Sequence, residues 1–128
     1  MLATTLHPAT QGKNAASIEP PLVIAHGLYG SARNWGVIAR RLADIRDVVA
    51  VDMRNHGDSP RFPTQGYPEM AVNVAEVLRS VGAPVDLLGH SMGGKAAMQL
   101  ALTSGALIRR LVLADIAPVA YDHDQSRV

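Results

Sequence analysis

Short, nearly unbroken apolar runs alternate along this chain with stretches in which apolar residues recur every three or four positions. The runs are Leu22-Val23-Ile24-Ala25, Val48-Val49-Ala50-Val51, Val85-Asp86-Leu87-Leu88 and Leu111-Val112-Leu113-Ala114. Runs of this length suit strands buried on both faces, not strands with one face in water. Between the first two, Asn34 to Ala43 sets Trp35, Ile38, Ala39 and Leu42 on one helical face. Pro68 opens a second helix at its first turn. Met70, Val74, Val77, Leu78 and Val81 then follow at helical spacing, and Gly82 closes it. A third helix follows Ser91. Strands alternating with amphipathic helices predict an α/β fold, a parallel sheet with helices on both faces. Core strands are expected near residues 21–26, 48–52, 85–90 and 111–115. Right-handed crossovers give the lateral order 48–52, 21–26, 85–90, 111–115. Residues 9–19 read as a polar loop after an early extended piece. The chain thus divides into an N-terminal extended segment and loop, 1–20, and a domain from 21 to 128.

The junction between the third run and its helix carries the sharpest signal. It reads Gly89-His90-Ser91-Met92-Gly93. G-x-S-x-G between a strand and a helix is a nucleophile elbow, a tight turn that lifts a serine hydroxyl above the sheet. The glycines are needed because a Cβ there would crowd the adjoining strand and helix. A developing negative charge at such a serine meets backbone N–H groups and the positive end of the helix dipole. The bland reading of the same five residues is a glycine-rich turn with a serine N-cap. His26-Gly27, Asp52, Ser91 and Asp115 all fall at or just past the C-terminal end of a strand. Ligands of open α/β sheets bind at that edge.

Composition narrows the choice. The 128 residues suit one ordinary domain, and 48% of them are apolar. Twelve basic residues face eleven acidic ones, a net charge of +1, so the basic stripe of a nucleic-acid binder is not expected. The chain has no cysteine, which excludes a disulfide framework, a thiol nucleophile and a cysteine metal site. That absence fits a reducing cytoplasm. No run reaches the length of a membrane span. No apolar signal region precedes Pro20. No metal-ligand cluster appears. Gly27-Leu28-Tyr29-Gly30 lacks the third glycine of a dinucleotide fingerprint, so no cofactor is expected.

Four segments together resemble the α/β-hydrolase superfamily. They are His26-Gly27-Leu28-Tyr29-Gly30-Ser31, Asp52-Met53-Arg54-Asn55-His56-Gly57-Asp58-Ser59, Gly89-His90-Ser91-Met92-Gly93-Gly94 and Asp115-Ile116-Ala117-Pro118. The resemblance is nearest to the small bacterial carboxylesterase branch, which is related to mitochondrial abhydrolase-domain proteins. It runs from about Pro21 to the end of the chain. Members of that branch run to roughly twice this length, with a cap, further strands and a late catalytic histidine. The chain therefore resembles the N-terminal half of a hydrolase, apparently truncated after the strand that follows the elbow helix.

The resemblance implies a serine-nucleophile hydrolase acting on carboxylic esters or thioesters of small molecules through an acyl-enzyme. Ser91 would be the nucleophile and Asp115 the triad acid. The backbone N–H groups of Leu28 and Met92 would form the oxyanion hole. Tyr29 stands either as a lining of the acyl pocket or as a cover for the strand edge. Asp115 also reads as a strand-end aspartate capping a turn, and Arg54 as a brace for its loop. A serine hydroxyl needs an adjacent base. None of the five histidines fits that role without difficulty. His26 would shape the oxyanion loop and His90 would pack behind the elbow. His56 sits in the loop after the second core strand. His7 has no motif around it. His123 keeps the order Ser, Asp, His but lies outside the late loop that normally supplies the base. The competing expectation is a catalytically incomplete half that needs a complementing chain, or that self-associates through an exposed sheet edge.

Overall fold

The computed structural model describes residues 1–10, 20–27, 35–44, 46–63 and 66–114. Five strands form one sheet: β1 (Thr4–His7), β2 (Leu22–Ala25), β3 (Val48–Val51), β4 (Val85–His90) and β5 (Ile108–Ala114). Three α-helices lie among the described residues: α1 (Gly36–Leu42), α2 (Tyr67–Val81) and α3 (Met92–Ser104). A short 3-10 turn, Gly105–Leu107, leads from α3 into β5.

The lateral order is β1-β3-β2-β4-β5. The four apolar runs therefore sit side by side in the expected order, and every pairing among them is parallel. The early extended piece is β1. It pairs antiparallel with β3 and brings Thr4 opposite Val51 and His7 opposite Val48. Sequence periodicity did not place it in the sheet, because Thr4, Thr5 and Leu6 are exposed and carry no core pattern.

Alternate residues of the central strands feed two cores, as the two-residue period of a strand requires. Leu22, Ile24 and Val48 face α1, with Ala39, Ala43 and part of Trp35 and Leu88. Val23, Ala25, Val49, Val51 and Leu87 face α2 and α3. The second core is the larger. Met70, Val74, Val77 and Leu78 from α2 and Ala96, Ala97 and Leu100 from α3 are all buried in it. Each large side chain there contributes about 1.5–3 kcal/mol by leaving water. α2 has Pro68 in its first turn and ends at Gly82, whose φ of 109° is the left-handed conformation expected of a glycine stop.

Two expectations need correction. In α1 the expected apolar face is only partly inside. Ala39 is buried, but Ile38 and Leu42 are 45% and 38% exposed. The helix has only seven residues and seats on the sheet through the small side chains Ala39 and Ala43, which pushes the bulky ones to its flank. The fourth core strand begins at Ile108, earlier than the apolar run suggested. Arg109 is accommodated in it because its guanidinium binds Asp86 of β4 with two hydrogen bonds, of 2.9 and 2.7 Å. Arg46 adds a third at 2.8 Å. Burial alone would raise the Asp86 pKa, but the bonds from Arg109 and Arg46 outweigh it and hold the carboxyl below its ordinary value. This cluster fastens β5 to β4 at the end of the sheet remote from Ser91.

Candidate active site

β4 delivers the chain to Ser91, and α3 leaves from Met92. The turn between them is as sharp as the glycine spacing predicts. A Cβ on Gly89 would lie 2.6 Å from Gly94 Cα, and one on Gly93 would lie 2.3 Å from the Ala25 carbonyl oxygen. Real Cβ atoms do not approach so closely, so both positions require glycine. The elbow is thereby pressed onto the end of β2.

Ser91 itself adopts φ 53°, ψ −113°. For a residue with a side chain this is a sparsely populated conformation, costing about 1–3 kcal/mol. The angles also depart from the N-cap reading of the serine. An N-cap has extended backbone angles and a side chain bonded to the first turn of its helix. Ser91 occupies the N-cap position with neither feature, since its side chain makes no capping hydrogen bond. Its backbone is well held: the Ser91 N–H donates to Ala114 O at 3.3 Å, and the Lys95 N–H donates to Ser91 O at 3.0 Å. Ser91 is half-buried, just past the C-terminal end of β4.

The loops around the serine are built on buried polar groups. His26, 1% exposed, directly follows β2 and precedes Gly27. The His26 Nδ1 lies 2.7 Å from Gly27 O, and the Met53 N–H donates to Nε2 at 2.9 Å. A carbonyl only accepts and an N–H only donates, so Nδ1 carries the proton and the ring is neutral. Burial lowers its pKa, more than the bond to Gly27 raises it. The neighbouring Gly27 abuts the elbow, since a Cβ there would lie 3.1 Å from Ser91 Cβ.

The loop after β3 is tied by four hydrogen bonds. Ser59 Oγ donates to Asp52 O and accepts the Ala3 N–H at 2.8 Å. The Asp52 N–H donates to Ala3 O at 2.9 Å. The Asp58 N–H donates to Asp52 Oδ2 at 3.0 Å, a turn that needs Gly57 at φ +50° because a Cβ there would strike the Asp52 carboxylate. Arg54 is buried with its guanidinium 4.2 Å from the centre of the Phe62 ring, a brace within its own loop. Sequence reasoning placed Asp52 at the strand end but missed these ties. The Gly57-Asp58 pair after it was the available signal, since Asp and Gly mark tight turns.

The described histidines can now be assessed one by one. His26 has both ring nitrogens engaged. His90 meets Trp35 edge to face, with ring centroids 5.5 Å apart. His56 lies with its Nδ1 2.9 Å from Arg54 O and its ring 5.2 Å from that of His26. His7 pairs with Val48, the first residue of β3, at the opposite end of the sheet from Ser91. Met92 heads α3, where first-turn N–H groups point out of the helix end. Leu28, Tyr29, Asp115 and His123 lie outside the described residues. No cluster of three His, Cys, Asp or Glu side chains suited to a metal occurs among the described residues. No described helix is long and apolar enough to cross a membrane.

Residues 20–127 match the family described as alpha/beta hydrolase fold. The chain is 46% identical over 109 residues to Esterase YbfF of Escherichia coli (strain K12), covering 82% of this chain and 43% of that protein. It is 45% identical over 103 residues to the sn-1-specific diacylglycerol lipase ABHD11 of Mus musculus, covering 78% of this chain and 34% of that one. A marine microorganism esterase superposes with a TM-score of 0.83 at 38% identity, over 95% of this chain and 44% of the esterase. The chain thus spans less than half the length of these relatives.

Proposed function

The chain belongs to the α/β-hydrolase family, and on that premise we propose that it carries the nucleophile of a carboxylic ester hydrolase working through an acyl-Ser91 intermediate. The observation that carries this reading is the backbone of Ser91, strained at φ 53° and released from any capping bond. Strain of that kind persists only where surrounding structure enforces it, and here Gly89 and Gly93 do so. The ester chemistry is supported by two relatives whose names describe an esterase and a diacylglycerol lipase. A small ester or thioester is the substrate class.

In the proposed reaction Ser91 Oγ attacks the acyl carbon while a base takes its proton. The oxygen that becomes negative is met by the N–H groups of Met92 and Leu28, a contribution of about 3–4 kcal/mol for each donor. The alcohol leaves with the proton, and water then releases the acid from Ser91. Asp115 is the proposed acid, because it directly follows Ala114, whose carbonyl accepts the Ser91 N–H. The base is a histidine that follows the acid in sequence. His123 keeps that order within these residues. A segment beyond them, or a complementing chain, is the other source.

The test is hydrolysis of p-nitrophenyl acetate by this chain and by a longer form that carries a downstream histidine region. We expect poor turnover by the chain alone, with Ser91→Ala removing little, if the base comes from outside these residues, since a general base is worth about 100- to 10,000-fold. The longer form should be fast and abolished by Ser91→Ala. Comparable turnover by the monomeric 128-residue chain, lost on Ser91→Ala, would promote His123 or His56 to the base. A slow longer form would favour a binding half over an enzyme.

A further inference from the structure

His26, 1% exposed, is a buried titratable group at the site that the proposed acyl transfer does not use. Its ring lies between two loops. Through Nδ1–H it holds the carbonyl of Gly27, after β2, and through Nε2 it receives the N–H of Met53, after β3. Gly27 in turn lies close against the elbow, with Ser91 Cβ and His90 Nδ1 each 3.1 Å from where its Cβ would be. A continuous line of contact therefore runs from Met53 through His26 and Gly27 to Ser91.

We propose that His26 is a positioning residue whose neutral ring couples the loop after β3 to the nucleophile, and that protonation of the ring breaks this coupling. The reason is the tautomer. A second proton can only enter at Nε2, which already accepts a backbone N–H at 2.9 Å. Two donors would then face one another in a site closed to water. The Met53 contact must open, and the ring can turn only by letting go of the Gly27 carbonyl as well. Acid would thus loosen the floor beneath Ser91 without touching the triad.

Among the described residues, the titratable groups facing the ring are His56 and Asp52 from the loop after β3 and His90 from the end of β4. His56 and His90 disfavour a charge on it and Asp52 favours one, while burial is the largest influence and also disfavours it. The transition is therefore expected below the ordinary imidazole value of 6.5.

The inference rests on the proposed role of Ser91 only for its consequence, and its test needs no substrate. Nitrogen-15 spectra of the full chain would be recorded across pH for wild type, His26→Asn and His26→Gln. Asn retains a donor near Nδ1 and Gln an acceptor near Nε2, and neither titrates. In wild type the ring should show the Nδ1–H form, and the Gly27, Met53 and Ser91 amides should shift with one midpoint, that of His26. In both variants this shared transition should vanish. A ring protonated at Nε2 at neutral pH would overturn the proposal. So would Met53 or Ser91 amides that ignore the His26 midpoint. The wild-type titration decides the matter even if a variant does not fold. Failure of ester hydrolysis with the shared transition intact would count against the enzyme reading and leave the coupling standing.

Discussion

Gly93 lies so close to Ala25 that a Cβ on it would come within 2.3 Å of the Ala25 carbonyl oxygen. The elbow is therefore held down by the end of β2 as well as by its own turn. Gly93→Ala must move backbone on one side or the other, because a carbonyl oxygen in a sheet has no rotamer to change. Forced overpacking of this kind costs about 1–3 kcal/mol, and more where backbone is struck. Gly105 is the natural comparison. Its φ is −57° and a Cβ there would meet nothing within 4 Å. Gly105→Ala should be stabilising by about 0.4–1 kcal/mol, through the unfolded chain. Urea denaturation of the two variants checks this. Equal midpoints would mean that the elbow does not press on β2.

Asp86 sets the acid limit of the fold. Its pKa is held below the ordinary 3.8 by Arg109 and Arg46, against the opposing effect of burial. A depressed carboxyl contributes stability that is fully present above its unfolded pKa and is lost as pH falls through the folded one. The loss from Asp86 should therefore begin near pH 3.8 and continue below it. Breaking a buried pair by removing one partner costs about 3–5 kcal/mol. Here Arg46 and Arg109 stay 17% and 32% exposed, so Asp86→Asn should fall at the lower end. It should also flatten the stability profile below pH 3.8. His26 acts in a different window. Its lowered pKa makes the unfolded chain bind a proton first, so stability declines as pH falls from 6.5 toward the folded value. Stability measured against pH in wild type and Asp86→Asn separates the two. An unchanged profile below 3.8 would remove Asp86 as the cause.

Much of this was legible in the sequence, and for one reason. A doubly covered parallel strand shows as an apolar run, and Val48–Val51 and Val85–His90 were bounded closely on that signal. Ser91 was legible because a tight strand-to-helix turn demands glycines at fixed spacing. What stayed hidden depended on partners far away in the chain. The early extended piece was expected, but its pairing with β3 was not, because nothing in Thr4–His7 announces its partner. The start of β5 depended on Arg109 finding Asp86, a pairing 23 residues apart. The tautomer of His26 was hidden for the same reason, since its acceptor role requires the Met53 N–H from another loop.

The last prediction concerns the edge of the sheet. Among the described residues β5 is an edge strand. Successive residues of a strand point to opposite faces. Val112 and Leu113 are 50% and 38% exposed, so neither face of the sheet is fully covered there. Val112 stands beside Leu88 on the α1 side, and Leu88 is itself only partly buried. An apolar edge with unpaired backbone groups is a template for another strand. Arg109 and Arg110 protect one end of it, but Leu111 to Ala114 carries no charge. The chain should therefore associate with increasing concentration in sedimentation velocity. Val112→Lys should shift that association to higher concentration, because a charge on the edge disfavours pairing. Leu102→Lys is the control, since Leu102 on α3 is 84% exposed but belongs to no edge. It should leave association unchanged. If both substitutions act alike, the association is general hydrophobic adhesion and the edge has no special part in it. If Val112→Lys alone acts, β5 is the place where a complementing segment, or a second copy of the chain, would join the sheet.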